Sequence, residues 1–161
     1  EITRSDWSSD VCSSDLSDVL HNVSLLAQRL LDALTMLKQQ MLVGDLPERP
    51  LAFCAIGDCS PAAVRVAALR DHGIFALVCY GGLIDLAGML YLRSLASPLL
   101  LLLDADDQRG LHSNRRAVQE LRCPYRCQVV TGAGRPEEAA AFSSLAREAS
   151  EWLLAHLPAA T

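Results

Sequence analysis

The segment Gly57-Asp58-Cys59-Ser60-Pro61 could do chemistry, because its cysteine stands between a short apolar run and a run rich in alanine and valine. A strand, a tight Gly-x-nucleophile-x-small turn and a helix form a nucleophile elbow, which lifts the nucleophile above the edge of a sheet. The helix N-terminus would favour the thiolate of Cys59, and the N–H of Ser60 would donate to an oxyanion. The alternative is that Cys59 is a buried thiol at the start of a helix.

A second group of polar residues follows a leucine-rich run further along the chain. Asp104, Asp106 and Asp107 could be solvated loop acids or helix caps. Arg135 comes later, directly after a Gly-Ala-Gly segment. If the preceding runs are parallel strands, their carboxyl ends meet at one edge of the sheet, where ligands bind. We therefore expect these residues and Cys59 to lie along the same edge.

The elements that would position these residues are visible in the hydrophobic pattern. Apolar residues between 19 and 41 recur at steps of three and four, which predicts an amphipathic helix with Ser17 or Asp18 as its N-cap. Short continuous apolar runs predict buried strands at 51–56, 74–79, 99–103 and 127–131. Further helices are predicted at 61–70 with Pro61 in the first position, at 114–121 and from 136 onwards, whereas 83–96 is ambiguous.

Strands that alternate with helices predict an α/β fold, in which right-handed βαβ crossovers build a mostly parallel sheet. Helices should cover both faces of that sheet, which gives a three-layer sandwich. The strand at 51–56 is expected at the edge of the sheet in this chain. Because an unpaired, hydrophobic edge is a hazard for aggregation, self-association through this edge is expected.

Composition limits the classes of function. The 161 residues are 51% hydrophobic and 20% charged, which is typical of one globular domain. The net charge of −5 gives no reason to expect nucleic-acid binding, and the apolar runs are too short for a membrane span. With six cysteines and no secretory signal, reduced thiols and a cytoplasmic location are expected. Cys123 and Cys127 are a C-x₃-C pair without further ligands, so we expect neither a metal nor a cofactor.

The first sixteen residues lack helical and strand periodicity and are rich in serine and aspartate. Residues 6–16 also closely resemble the translation of a common sequencing adaptor. We therefore expect 1–16 to be an artefactual, disordered tail, and we assign no function to Cys12 or Trp7. The domain is expected to comprise 17–161.

Five stretches carry a resemblance to a known family: 25–30, 52–57, the turn 57–61, 80–87 and 114–117. Together they resemble the dienelactone-hydrolase-like branch of the α/β-hydrolases, and the similarity covers nearly all of 18–157. The resemblance implies that the chain is the C-terminal part of an α/β-hydrolase fold. It also implies hydrolysis of a small-molecule ester or lactone through an acyl-enzyme.

Carried over residue by residue, the resemblance makes Cys59 the nucleophile and Asp107 the acid, with Asp106 as the second choice. The family's general base is a histidine, but Arg135 stands at the expected position in this sequence. A guanidinium stays protonated and cannot take the proton of the nucleophile. His112 follows the acid loop and is the remaining alternative as a base. The sequence therefore implies low hydrolytic activity, or else a catalytically inactive module that binds a ligand or partner in the same cleft.

Overall fold

The computed structural model describes residues 22–69, 73–131 and 139–159. In chain order the helices are α1 (Val23–Leu42), α2 (Cys59–Ala67), α3 (Met89–Ser94), α4 (Gln108–Ala117) and α5 (Ala139–Ala155). The strands are β1 (Leu51–Ile56), β2 (Ile74–Tyr80), β3 (Leu99–Asp104) and β4 (Tyr125–Val130). Short 3-10 turns at Ile84–Ala87 and Val118–Glu120 precede α3 and follow α4.

The four strands form one sheet in the order β1-β2-β3-β4, and each neighbouring pair is parallel. The predicted parallel sheet is therefore confirmed. β4 lies two residues earlier at its start than predicted, because Tyr125 already pairs with Leu99. Within the described residues β1 lies at the edge of the sheet, as expected from the sequence.

Alternate residues of the strands face two separate hydrophobic clusters, which is what a sheet with helices on both faces requires. Along β3, Leu99, Leu101 and Leu103 pack with residues of α1, α2, α3 and α4. Leu100 and Leu102 point to the opposite face, where Trp152 of α5 covers them. The chain is thus a three-layer α/β/α sandwich, in agreement with the fold class predicted from the sequence.

The helix boundaries differ from the predicted ones at three places. α1 begins at Val23 because the side chain of Asn22 accepts the N–H of Leu25 at 3.0 Å. The predicted N-caps, Ser17 and Asp18, lie outside the described residues. α2 begins at Cys59, so that Pro61 is its third residue, where a missing N–H is still tolerated in the first turn.

The helix predicted at 114–121 begins earlier and ends earlier. Asp107 caps it, α4 runs over Gln108–Ala117, and a 3-10 turn then replaces its last residues. The predicted start was wrong because the polar first turn of α4 has no apolar periodicity, so the sequence left open which aspartate caps a helix. The ambiguous segment 83–96 contains a 3-10 turn and α3.

None of the helices that the structure describes is both long and apolar enough to cross a bilayer.

Candidate functional site

The turn between β1 and α2 brings Cys59 to the carboxyl end of the sheet. Gly57 takes the left-handed conformation of this turn, with φ of 57°. Its N–H donates to the carbonyl oxygen of Tyr80 at 2.8 Å, which continues the pairing of β1 with β2. Cys59 is the first residue of α2 and is exposed. Its backbone is unstrained, since no described residue other than glycine has a positive φ.

Cys59 differs from the other cysteines of the described residues in its surroundings. Burial raises the pKa of the thiols of Cys54, Cys123 and Cys127 above the usual value of 9.0. Burial raises the pKa of Cys79 to about 12, against a smaller opposite effect of a hydrogen bond with the side chain of Ser60. Cys54 and Cys127 also reach the surface, and what distinguishes Cys59 from them is its place at the first position of a helix.

Ser60, the residue that follows the nucleophile candidate, is fully buried. Its hydroxyl donates to the carbonyl oxygen of Gly81 at 3.0 Å, and its backbone N–H donates to the carbonyl oxygen of Gly57 at 2.9 Å. The N–H that the sequence suggested as an oxyanion donor is therefore paired within the turn in this conformation. To serve an oxyanion it has to exchange the Gly57 carbonyl for the substrate oxygen.

The loop that follows β2 packs against the same turn. Gly82 has φ of 79°, and a Cβ built on it would overlap the carbonyl group of Gly57 and lie 3.1 Å from the Cβ of Ser60. Glycine is required at position 82 both for its backbone conformation and for this close approach. The loop after β2 thus packs directly against the turn that carries Cys59.

Asn114 of α4 also fixes the loop after β2. Its Nδ2 donates to the carbonyl oxygen of Gly82 at 2.8 Å, and its Oδ1 accepts the N–H of Ile84 at 3.1 Å. Asn114 is fully buried, and a buried amide needs hydrogen-bond partners. Backbone groups of one loop supply a partner for its oxygen and for its nitrogen.

The aspartates at the end of β3 and in the loop after it take different roles. Asp107 is exposed and caps α4, because its Oδ1 accepts the N–H of Gly110 at 2.8 Å. Asp104 accepts the N–H of Asp106 at 2.9 Å through its Oδ1. Burial, and after it the charge of Asp104, raises the pKa of Tyr80. The sequence left open whether Asp107 caps a helix. The structure shows that it does, through one of its two carboxylate oxygens.

The strands that lead to Cys59 and Asp107 are not neighbours in the sheet. Cys59 follows β1 and Asp107 follows β3, with β2 between them. Neighbouring strands lie about 4.8 Å apart, so the two strand ends are separated by about 10 Å. Both residues lie at the carboxyl edge of the sheet, with the end of β2 between them.

The candidates for a general base have separate locations. His112 is exposed on α4. His156 is engaged at the end of α5, where its Nδ1 lies 2.8 Å from the carbonyl oxygen of Trp152 and its ring stacks on the Trp152 ring. His21, His72 and Arg135 lie outside the described residues. Among the described residues, no group of three His, Cys, Asp or Glu side chains could hold a metal ion.

Three residues of this site were missed as participants: the hydroxyl of Ser60, Gly82 and Asn114. The sequence does carry weak signals for two of them. A Gly-Gly pair directly after a strand indicates a turn with unusual backbone conformation, and asparagine is a poor residue for a helix interior unless its amide has a partner.

Solved structures share this arrangement of strands and helices. The chain superposes on a dienelactone hydrolase from Anabaena variabilis ATCC 29413 with a TM-score of 0.76 and 25% identity, covering 91% of this chain and 69% of that one. A predicted CIB-like hydrolase from Thermoplasma acidophilum gives a TM-score of 0.63 at 10% identity, and the match covers 82% of this chain and 59% of the hydrolase. A cold-adapted esterase from an Arctic intertidal metagenomic library gives a TM-score of 0.59 at 14% identity, and the match covers 84% of this chain and 57% of the esterase. This chain thus spans little more than half the length of these last two proteins. No protein-family model matches the sequence, and neither does any curated protein.

Proposed function

Because the chain has an α/β-hydrolase, dienelactone-hydrolase-like fold, we propose that it is the C-terminal part of a hydrolase that cleaves small-molecule esters or lactones through Cys59. Residues 17–161 would form this part, and 1–16 would not contribute to it. The dienelactone hydrolase and the esterase among the similar structures support this class of substrate.

One observation carries the proposal: an exposed cysteine at the first position of a helix, at the carboxyl end of an edge strand. A thiolate there can approach the carbonyl carbon of an ester from solvent, and the helix N-terminus favours its negative charge. Attack forms a bond between sulfur and the carbonyl carbon and places the negative charge on the carbonyl oxygen. Collapse of this oxyanion expels the alkoxide and leaves an acyl group on Cys59.

The roles of the other residues follow from this step. The N–H of Ser60 would stabilise the oxyanion once it has released the carbonyl of Gly57. Asp107 would orient a base through the carboxylate oxygen that does not cap α4. In the family that base is a histidine, and Arg135 occupies its place in the sequence. Since a guanidinium cannot accept a proton, acylation by an activated ester is expected while deacylation is slow.

The second candidate function is a catalytically inactive module that binds a small ligand or a partner at the same edge. Two observations favour it. The Ser60 N–H is already paired with Gly57, and the carboxylate of Asp107 caps α4. Both groups then stabilise the fold and contribute nothing to a reaction.

The two candidates are separated by mixing the chain with p-nitrophenyl acetate and measuring release of p-nitrophenolate. A hydrolase that lacks its base gives a single burst of about one equivalent, since this leaving group departs without a proton. Cys59→Ala should abolish the burst, and the matched variant Cys127→Ala, which removes another exposed thiol, should retain it. Absence of a Cys59-dependent burst would favour the inactive module. Sustained turnover that depends on Cys59 would show that another residue, such as His112, acts as the base.

A further inference from the structure

Two fully buried polar side chains, Ser60 on α2 and Asn114 on α4, bind the backbone of the same loop. The Ser60 hydroxyl donates to Gly81, which is 21 residues away in the chain. Asn114 donates to Gly82 and accepts from Ile84, which are 32 and 30 residues away. None of these bonds belongs to the ladder of the sheet or to a helix, so they serve only to hold the loop in place.

Buried polar groups of this kind specify geometry more than they add stability. A buried hydroxyl or amide that lost its partner would be costly, whereas an apolar residue of the same size could fill the space at little cost. Here every one of the three bonds ends on a loop that touches the turn of Cys59, because Gly82 lies against Gly57 and Ser60. The position of Cys59 therefore depends on where this loop is held.

The same helix also fixes the aspartate candidate. Asp107 caps the first turn of α4 through Gly110, and Asn114 projects from the next turn of that helix to the loop after β2. Since β1 and β3 are not neighbours in the sheet, no ladder bond joins the turn of Cys59 to the loop of Asp107. The path through Ser60, Gly82 and Asn114 makes this connection across the end of β2.

We infer that Ser60, through its hydroxyl, and Asn114 are positioning residues that hold Cys59 in its reactive place relative to α4. This inference rests on the proposed function for its catalytic meaning, but the reactivity of the Cys59 thiol measures it directly. Neither side chain touches substrate in this scheme. They act through the loop 81–84, which supports the turn.

The test compares three single variants of the full chain. Ser60→Ala removes the hydroxyl and keeps the backbone N–H. Asn114→Asp keeps the size of the side chain and the oxygen that accepts from Ile84, but an ionised carboxylate cannot donate to Gly82. Ser97→Ala is the matched control, because Ser97 is also buried and its hydroxyl donates to the carbonyl of Ile74 at 2.6 Å, at the amino end of β2.

The measurement is the rate of iodoacetamide labelling at each cysteine, resolved by peptide mass mapping, beside the burst with p-nitrophenyl acetate. We expect Ser60→Ala to slow labelling of Cys59 by about fivefold, the equivalent of one lost hydrogen bond. Labelling of Cys54 and Cys127 should stay within about twofold. Ser97→Ala should leave Cys59 unchanged, since it removes a similar bond at the opposite end of the sheet.

In Asn114→Asp, lowering the pH should restore the hydrogen bond to Gly82 and with it the reactivity of Cys59. At about pH 5.5 the buried carboxyl is protonated and can still donate to Gly82, whereas at about pH 9 it is ionised and repels that carbonyl. Relative to the unmodified chain at the same pH, Cys59 should therefore be labelled normally at the lower pH and slowly at the higher one. Equal ratios at both pH values, or an effect of Ser60→Ala no larger than that of Ser97→Ala, would overturn the inference. A missing burst with the expected labelling pattern would refute the proposed hydrolysis and leave the positioning role standing.

Discussion

The backbone of Gly82 lies so close to that of Gly57 that a Cβ at position 82 would overlap the Gly57 carbonyl oxygen. This contact joins the loop after β2 to the turn after β1. The two backbones can approach this closely only because residue 82 has no side chain. The turn that presents Cys59 is therefore supported by a neighbouring loop as well as by its own strand and helix.

Gly82→Ala should consequently damage the site more than Gly81→Ala. Both glycines have a positive φ, 79° and 63°, so alanine costs about 1–2 kcal/mol at either position. Only Gly82 also has the Gly57 carbonyl in the space of the new Cβ, whereas nothing lies within 4 Å of a Cβ at Gly81. We expect Gly82→Ala to lower the free energy of unfolding by about 3 kcal/mol or more. Guanidinium unfolding of the two variants checks this, and similar losses for both would contradict it.

Among the thiols of the described residues, Cys59 should react first. Burial raises the pKa of Cys54, Cys79, Cys123 and Cys127, which lowers the fraction of each thiol that is ionised, and Cys59 is the exposed cysteine that stands at a helix N-terminus. At about pH 7.5 we expect labelling of Cys59 to be about tenfold faster than that of the other four. Peptide mapping after timed quenching gives the rates, and the chain unfolded in guanidinium, where these differences should vanish, is the control. Cys127 or Cys54 labelled as fast as Cys59 would refute the expectation.

Asp107 should behave as a helix cap in the chain as it stands. Asp107→Ala removes the acceptor for the Gly110 N–H and should cost about 1 kcal/mol of unfolding free energy. Asp107→Asn keeps an oxygen at the same place and should cost only a few tenths. Neither variant should change the burst with p-nitrophenyl acetate by more than about twofold, because Arg135 stands where the family's histidine is expected and gives the carboxylate no imidazole to orient at that position.

The proposed acid role of Asp107 becomes visible only when a base is supplied. Arg135→His should convert the burst into slow turnover if position 135 is the site of the family's base. In that background Asp107→Asn should lower turnover by at least about a hundredfold, since the carboxylate then orients the imidazole. If Asp107→Asn with Arg135→His is as active as Arg135→His alone, Asp107 only caps α4. Asp106→Asn in the Arg135→His background would then be the next test.

Cys79 should make the fold sensitive to alkaline pH. Its thiol has a pKa of about 12 in the folded chain against the usual 9.0, so between these values the folded state retains a proton that the unfolded state has lost. The free energy of unfolding is therefore unaffected by this group below about pH 9 and falls as the pH rises towards 12. At about pH 10.5 the loss from this residue should be about 2 kcal/mol relative to about pH 8.

Guanidinium unfolding at the two pH values measures this loss, and Cys79→Ala serves as the comparison. The variant loses stability at both pH values through the missing side chain, but its decrease between them should be smaller. An equal decrease in both proteins would show that other groups, such as Tyr80 with its raised pKa, cause the alkaline sensitivity.

Self-association through β1 remains a prediction from the sequence, and the sheet order gives it a concrete test. β1 lies at the edge of the sheet in the described residues, and Ile56 at its end is 66% exposed. A lysine on an edge strand discourages pairing with another chain. Ile56→Lys should therefore reduce the concentration-dependent rise of the sedimentation coefficient, whereas Leu154→Lys, at a 71% exposed position of α5, should not. A monodisperse unmodified chain at high concentration would contradict the prediction.

The alternation of strands and helices could be predicted because it depends on short-range patterns. Five or six consecutive apolar residues, such as those of β3, form a strand that is buried on both faces, and glycine, proline and aspartate mark the ends of such runs. The same local information placed Cys59 between a strand and a helix. The start of α4 was missed because its cap, Asp107, is followed by polar residues that carry no apolar period.

The sequence by itself thus determined the fold class, the alternation of its strands with helices and the place of Cys59 between a strand and a helix, whereas the exposure of Cys59 was decided by the structure. The tertiary structure alone decided that Asn114 reaches Gly82, that Ser60 binds Gly81, and that Gly82 leaves no space for a side chain beside Gly57. These contacts join residues between 21 and 32 positions apart, and a hydrogen bond between a side chain and a distant backbone group leaves no periodic trace in the chain. They exist because parallel pairing brings the ends of β1, β2 and β3 to one edge, where the loops that follow them must pack together.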